Sequence, residues 1–185
     1  KNGVAVYGGF DGTESSRFER DWVTNVTILS GDLKGNDKPN LVKNDENSYH
    51  VFYHPAELAL DDSAILDGFT ITGGNANDNT PHNLGGGMLN IGASPTLVNV
   101  TFTNNAALDG GGLYNSDGSS PALANCLFSG NLAERQGGAV ANLNSSSPTL
   151  NDCTISDNTA KSNAGGMFNS ASNPVLSGCT FSNNV

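Results

Sequence analysis

Ser94-Pro95-Thr96-Leu97 opens a pattern that the chain repeats as Ser120-Pro121-Ala122-Leu123, Ser147-Pro148-Thr149-Leu150 and Asn173-Pro174-Val175-Leu176. The prolines are 26, 27 and 26 residues apart. Five positions after each proline stand Val100, Cys126, Cys153 and Cys179, and two further on stand Phe102, Phe128, Ile155 and Phe181. Three beyond those come Asn105, Asn131, Asn158 and Asn184. A glycine-rich strand fills the rest of each unit: Gly86-Gly87-Met88-Leu89-Asn90, Gly111-Gly112-Leu113-Tyr114-Asn115, Gly138-Ala139-Val140-Ala141-Asn142 and Gly165-Gly166-Met167-Phe168-Asn169.

A looser copy lies upstream. Leu66-Asp67-Gly68-Phe69-Thr70-Ile71-Thr72 has the alternation of Leu97 to Thr103, and Asn75-Ala76 follows as Asn105-Ala106 does. The jitter in spacing falls in Gly, Ser and Asn stretches, where an insertion at a turn leaves stacked strands in register.

Each unit holds only short segments of period-two alternation, such as Cys126-Leu127-Phe128-Ser129, which is the strand signal. About 26 residues cannot bury such a face alone, but stacked coils share one continuous core. Propeller blades need about 40 residues and helical-pair repeats at least about 33. The spacing therefore predicts an all-β right-handed parallel β-helix (a β-solenoid) with coils of about 26 residues. Residues 1–64 read as irregular N-terminal coils and residues 65–185 as regular repeats of one continuous domain. Columns of Leu, Val/Cys and Phe/Ile are expected to stack like on like inside it.

Composition agrees with a turn-rich fold. The chain has 185 residues with 23 Gly and only 14% charged residues, against about 25% in ordinary domains. Its net charge is −10, which repels phosphate backbones and argues against nucleic-acid binding. Residues 1–85 carry 13 of the 18 acids and 6 of the 8 bases, so the repeats are nearly neutral. No apolar run approaches the roughly 18 residues of a membrane span, and no signal peptide is evident. The pattern is under way at Lys1 and still running at Val185, so the chain reads as a piece of a longer protein.

The pairing of the glycine-rich strand with a Phe-x-x-Asn corner (Phe102-Thr103-Asn104-Asn105, Phe128-Ser129-Gly130-Asn131, Phe181-Ser182-Asn183-Asn184) resembles the repeat of the polymorphic outer-membrane protein family. It also resembles bacterial proteins described only as right-handed parallel β-helix repeat proteins. The likeness covers about residues 65–185 and departs at Ile155, where Phe is expected, and at Ala139, where Gly and Ala alternate. Val6-Tyr7-Gly8-Gly9-Phe10-Asp11-Gly12-Thr13-Glu14, with Arg20-Asp21-Trp22 and Thr27 to Asp32, looks like the start of such regions. The resemblance implies surface display or secretion, with adhesins and autotransporter passengers among the relatives. It speaks strongly of architecture and hardly of activity.

Candidate sites are few. Cys126, Cys153 and Cys179 share one row, and coils about 4.8 Å apart would allow a disulfide. Three thiols cannot all pair, however, and a row beginning at Val100 suits a buried thiol file. Asn105, Asn131, Asn158 and Asn184 read as structural corners, because Asn tolerates left-handed backbone and its amide can bond to the coils above and below. His50 and His54 would chelate on a helix, but strand residues four apart lie about 13 Å from each other. Asp61, Asp62 and Asp67 form the best acidic cluster, as a carbohydrate-active site requires facing carboxylates; no Lys or Arg recurs beside it. Thr70/Thr72, Thr101/Thr103, Leu127/Ser129, Thr154/Ser156 and Thr180/Ser182 make outward hydroxyl rows that resemble those of ice-binding proteins. Leu89, Tyr114, Ala141 and Phe168 lie beside the row of Met88, Leu113, Val140 and Met167. Whichever row faces out offers a contact surface, with Leu89, Tyr114 and Phe168 the candidates.

The expectation for function is a non-catalytic extracellular or cell-surface rod, structural or adhesive, that self-associates or meets a cell-surface, host or polysaccharide ligand without inserting in a membrane. A carbohydrate-active β-helix enzyme and an ice- or surface-binding solenoid are the alternatives. No cofactor is implied, apart from a calcium ion held by turn carboxylates near Asp11, Asp32 or Asp37.

Overall fold

Each regular coil is a four-sided turn. A computed structural model describes residues 1–38 and 41–185. One coil runs through the strands Thr96–Val98, Thr101–Thr103, Ala106–Asp109 and Leu113–Ser116 before the next begins at Ala122–Ala124. Stacking these turns generates four parallel sheets of six, six, four and five strands.

The sides are short because a corner follows every three to five residues. At each corner one residue has a left-handed backbone: Asn99 (φ 52°), Asn104 (φ 53°), Gly110 (φ 63°) and Asp117 (φ 56°) in the coil just named. Equivalent residues in the next coil are Asn125, Gly130, Gly137 and Asn144. Gly, Asn and Asp are the residue types that visit this region at low cost, so the Gly/Asn richness of the sequence is the corner requirement written out. The left-handed residue at the second corner is the one before Asn105, Asn131, Asn158 and Asn184, not those asparagines themselves.

The first sheet places Leu66, Leu97, Leu123, Leu150 and Leu176 in one column. The second aligns Leu29, Ile71, Phe102, Phe128, Ile155 and Phe181. The fourth aligns Phe52, Met88, Leu113, Val140 and Met167. Up to the last coil, where Leu176 and Phe181 are exposed, these columns form the main core, with Phe102 and Phe128 fully buried and their rings parallel at 4.6 Å between centroids. Val100, Cys126 and Cys153 line the same bore, and Leu127, Thr154 and Thr180 amides bond to the carbonyls of Val100, Cys126 and Cys153 at 2.9 Å. The three thiols are all free, in file.

Two asparagine ladders run through the interior. In the first, the Asn105 amide donates to Asn131 Oδ1 (3.0 Å), Asn131 to Asn158 (2.9 Å) and Asn158 to Asn184 (2.9 Å). Each Nδ2 also reaches a carbonyl of the preceding coil, Ile71, Phe102, Phe128 or Ile155. Each Oδ1 in turn accepts a backbone N–H. The ladder is thus fully satisfied in a dry interior, where an unpaired amide would be costly. The second ladder is Asn90, Asn115, Asn142 and Asn169, linked at 2.8–2.9 Å, and His54 Nδ1 donates to Asn90 Oδ1 at 2.7 Å to close its first end.

The first coils are larger. Ala5 pairs with Ile65, Thr27 with Phe69, and Phe52 with Met88, so insertions leave the stack between one turn and the next. Leu41 and Asn44 from the stretch between Ser30 and Phe52, and Asn77, Asp78 and Asn83 from the segment 77–84, stand beside the third sheet.

Candidate functional site

The third sheet is built from Asn75–Ala76, Ala106–Asp109, Leu132–Gln136 and Thr159–Ala160. Its outer face is the floor of a groove of about 570 Å³. Small and aliphatic floor residues (Ala106, Leu108, Leu132) meet polar walls that carry Asn44, Asn77 and Asp78. The walls are the two insertions, so the groove exists because the coils are irregular where they cross this side. Asn75 ties the floor to one wall, with its amide donating to the Asn44 carbonyl at 2.8 Å.

Asp78 anchors the other wall. The backbone of Asn79 and the Tyr49 hydroxyl at 3.0 Å hold its carboxyl below the usual range, and the same bond pushes the Tyr49 phenol up. Tyr49 stacks on His82 at 5.4 Å, and His82 Nδ1 lies 3.1 Å from His50 Nε2. His50 Nδ1 in turn bonds to the Gly85 carbonyl at 2.9 Å. Burial lowers the His50 pKa, so this imidazole is neutral near pH 7.

His50 and His54 share no partner: one meets His82 and the other the asparagine ladder. The acidic cluster disperses. Asp61 accepts from the Ser63 backbone and hydroxyl, whereas Asp67 is buried and paired with Arg20 and with the Asn99 amide. Asp109 is likewise buried and paired with Arg135. Asp11 closes its own turn on Thr13. Among the described residues, no three His, Cys, Asp or Glu side chains gather into a group that could hold a metal ion.

Two surface expectations change. Leu89 and Tyr114 are buried rather than exposed, packed with Ala141 against Leu84, Ile91 and Leu143. Both neighbouring rows are therefore covered, one by the bore and one by the third corner. Gly85, Gly110 and Gly137 make this close cover feasible: a Cβ at Gly110 would sit 3.0 Å from Tyr114 Cβ. Only Phe168, in the last coil, stays partly exposed. The hydroxyl columns Thr70–Thr101–Leu127–Thr154–Thr180 do form. Trp22, Val23 and Val26 line a common recess with Thr70 and Thr101, however, so that face is not a flat open array.

Residues 23–185 match the family described as a right-handed β-helix region. The chain belongs to the right-handed β-helix family. Comparison with curated proteins and with solved structures finds no match. Membership in the β-helix family fixes the handedness and the architecture, while chemistry lives in sites grafted on the fold. Among the described residues the β-helix carries several surface recesses, and the groove on its third face is one that sequence reasoning did not find. Its walls come from insertions without periodicity; the signal was the run of Asn44, Asn75, Asn77, Asp78 and Asn83 beside the repeat.

Proposed function

We propose that this β-helix is a non-catalytic extracellular rod that adheres to a neutral polysaccharide through the groove on its third face. The observation that carries the reading is the groove's lining. Amides on a rigid wall offer paired donors and acceptors to hydroxyls, and aliphatic floor residues suit the apolar faces of sugar rings. A net charge of −10 opposes polyanions, which favours neutral over acidic glycans. The buried carboxylates Asp67 and Asp109 are each matched by an arginine and serve the frame. The likeness to polymorphic outer-membrane protein repeats supports display at a cell surface.

The second reading is a glycan-cleaving enzyme, favoured by Asp78 and Glu134 lining the same groove. One experiment separates the two. Neutral and acidic polysaccharides are titrated into the chain while new reducing ends and unsaturated uronates are assayed in the same samples. Binding of a neutral glycan without product, weakened about tenfold by the Asn77→Ala and Leu108→Ser pair, is expected. Product formation that Asp78→Asn abolishes would establish the enzyme, and failure to bind any glycan would remove both.

A further inference from the structure

The segment between Ser30 and Phe52 contains an acceptor-rich contact that the groove does not use. Asp32 organises its first part: Oδ1 accepts the backbone amides of Lys34, Gly35 and Asn36, and Oδ2 accepts that of Asp37 at 3.0 Å. This turn carries Asn36-Asp37, and Asp37 meets Asn47, the neighbour of Glu46. The contact is made by the Asn47 amide, which donates to Asp37 Oδ2 at 2.7 Å and to the Gly73 carbonyl at 2.8 Å.

Asn47 is only 7% exposed, and its Oδ1 meets no donor among the described residues. The same holds for the buried Asn36 Oδ1 and Glu46 Oε1. Four buried side-chain polar atoms among the described residues lack a partner, and three of them belong to the two short stretches, 36–37 and 46–47, that meet through the Asn47 amide. Buried polar atoms in folded proteins are satisfied by protein, water or ion. Both donor hydrogens of the Asn47 amide are already committed, so exchanging its oxygen and nitrogen would break two bonds to satisfy one atom. What remains is a set of oxygens with no hydrogen to share, two of the four residues being acidic. Carboxylate and amide oxygens on a turn are the ligands of a hard, flexible-geometry cation.

We infer that Asn36, Asp37, Glu46 and Asn47 form a binding site for a calcium ion, which pins the insertion to the corner of the solenoid at Gly73. Calcium fits better than magnesium, because loop-borne amides and carboxylates tolerate irregular coordination of six to eight oxygens. The ion would reinforce two stretches of the insertion that the Asn47 amide, the Lys38–Val42 bridge and the Ser48 N–H to Gly31 carbonyl bond already connect.

The test is calcium titration of the chain by calorimetry, together with thermal unfolding in excess CaCl2, MgCl2 or EGTA. One ion per chain is expected, with a Kd of about 10⁻⁴ to 10⁻³ M as in extracellular modules. The melting temperature should rise by roughly 5 °C at saturation, with a much smaller response to magnesium. Glu46→Gln and Asp37→Asn should each weaken binding by about tenfold or more and leave the melting temperature in EGTA nearly unchanged. Asp11→Asn should leave binding intact. Amide NMR shifts of the unaltered chain give an arm that needs no variant: calcium must first move residues 32–47. Absence of binding heat, a response kept in both variants, or shifts centred elsewhere would each overturn the site, and water would then satisfy those oxygens.

Discussion

Ala139 and Ile155 occupy facing positions and are the two departures from the repeat. Where Ala139 stands, the other coils have Gly87, Gly112 and Gly166; where Ile155 stands, they have Phe102, Phe128 and Phe181. A methyl group at Gly87 would lie 2.9 Å from Phe102 Cδ1, at Gly112 3.1 Å from Phe128 Cδ1, and at Gly166 3.3 Å from Phe181 Cδ1. The ring edge therefore excludes a Cβ, and the coil that carries the Cβ carries no ring. The pair is compensated.

A double-mutant cycle checks this. Ile155→Phe alone is expected to cost about 1–3 kcal/mol through overpacking against the Ala139 methyl. Combined with Ala139→Gly the same change should be close to neutral, because it restores the pairing of the neighbouring coils. Additive effects in chemical denaturation would show that the two sites are independent.

The first asparagine ladder makes a second prediction. Asn131→Ala removes the partner of Asn105 Nδ2, of the Asn105 amide N–H and of the Phe102 carbonyl. At roughly 1–3 kcal/mol for each buried group left unpaired, partly relieved by relaxation, a loss of about 3 kcal/mol is expected. Asn131→Asp should be worse at neutral pH. Its carboxylate would face the Phe102 carbonyl and Asn158 Oδ1, which have no hydrogen to offer. Its folded-state pKa would lie above the unfolded value, so this variant should gain stability as pH falls. Thermal melts between neutral and mildly acidic pH read out the sign.

Histidine titration gives a third. Burial lowers the pKa of both His50 and His54 below 6.5. The unfolded chain then binds more protons than the folded one at mildly acidic pH. The stabilisation is complete above the unfolded value and is lost as pH falls through the lower folded values. The melting temperature should therefore drop between about pH 7 and pH 5, and the drop should shrink in a His50→Gln, His54→Gln chain. A profile unaltered by the two substitutions would assign the acid sensitivity to other groups.

Thiol reactivity gives a fourth. Cys126 and Cys153 are 2% and 1% exposed, whereas Cys179 is partly open in the last coil. The hydrogen bond to Cys153 and burial push the Cys126 thiol well above its usual pKa. A thiol reagent should modify Cys179 first in the native chain and all three only after denaturation.

The sequence made the regular coils legible because nothing interrupts them. From Pro95 to Leu176 every stacked residue recurs at 26 or 27, so like columns could be read before any coordinates. The asparagines ending the glycine-rich strands were visible in the same way, yet their role as a second ladder closed by His54 was not. A strand with two apolar neighbours, such as Met88-Leu89, does not declare its inner face, and here both residues are covered. The corner residues were displaced by one, because the left-handed backbone and the inward-pointing amide fall on adjacent residues, Asn104 and Asn105. The groove was illegible for a physical reason: its walls depart from the stack, and aperiodic insertions leave no pattern to follow.

All of these statements require that residues about 26 apart touch across coils. The most direct measurement is the nuclear Overhauser contact between selectively labelled Phe and Ile side chains in solution. Strong ring-to-ring contact between Phe102 and Phe128, 4.6 Å apart at their centroids, and contact between the Phe128 ring and the Ile155 methyls are predicted. A folded chain in which these side chains show only contacts to sequence neighbours would contradict the stacked solenoid and everything built on it.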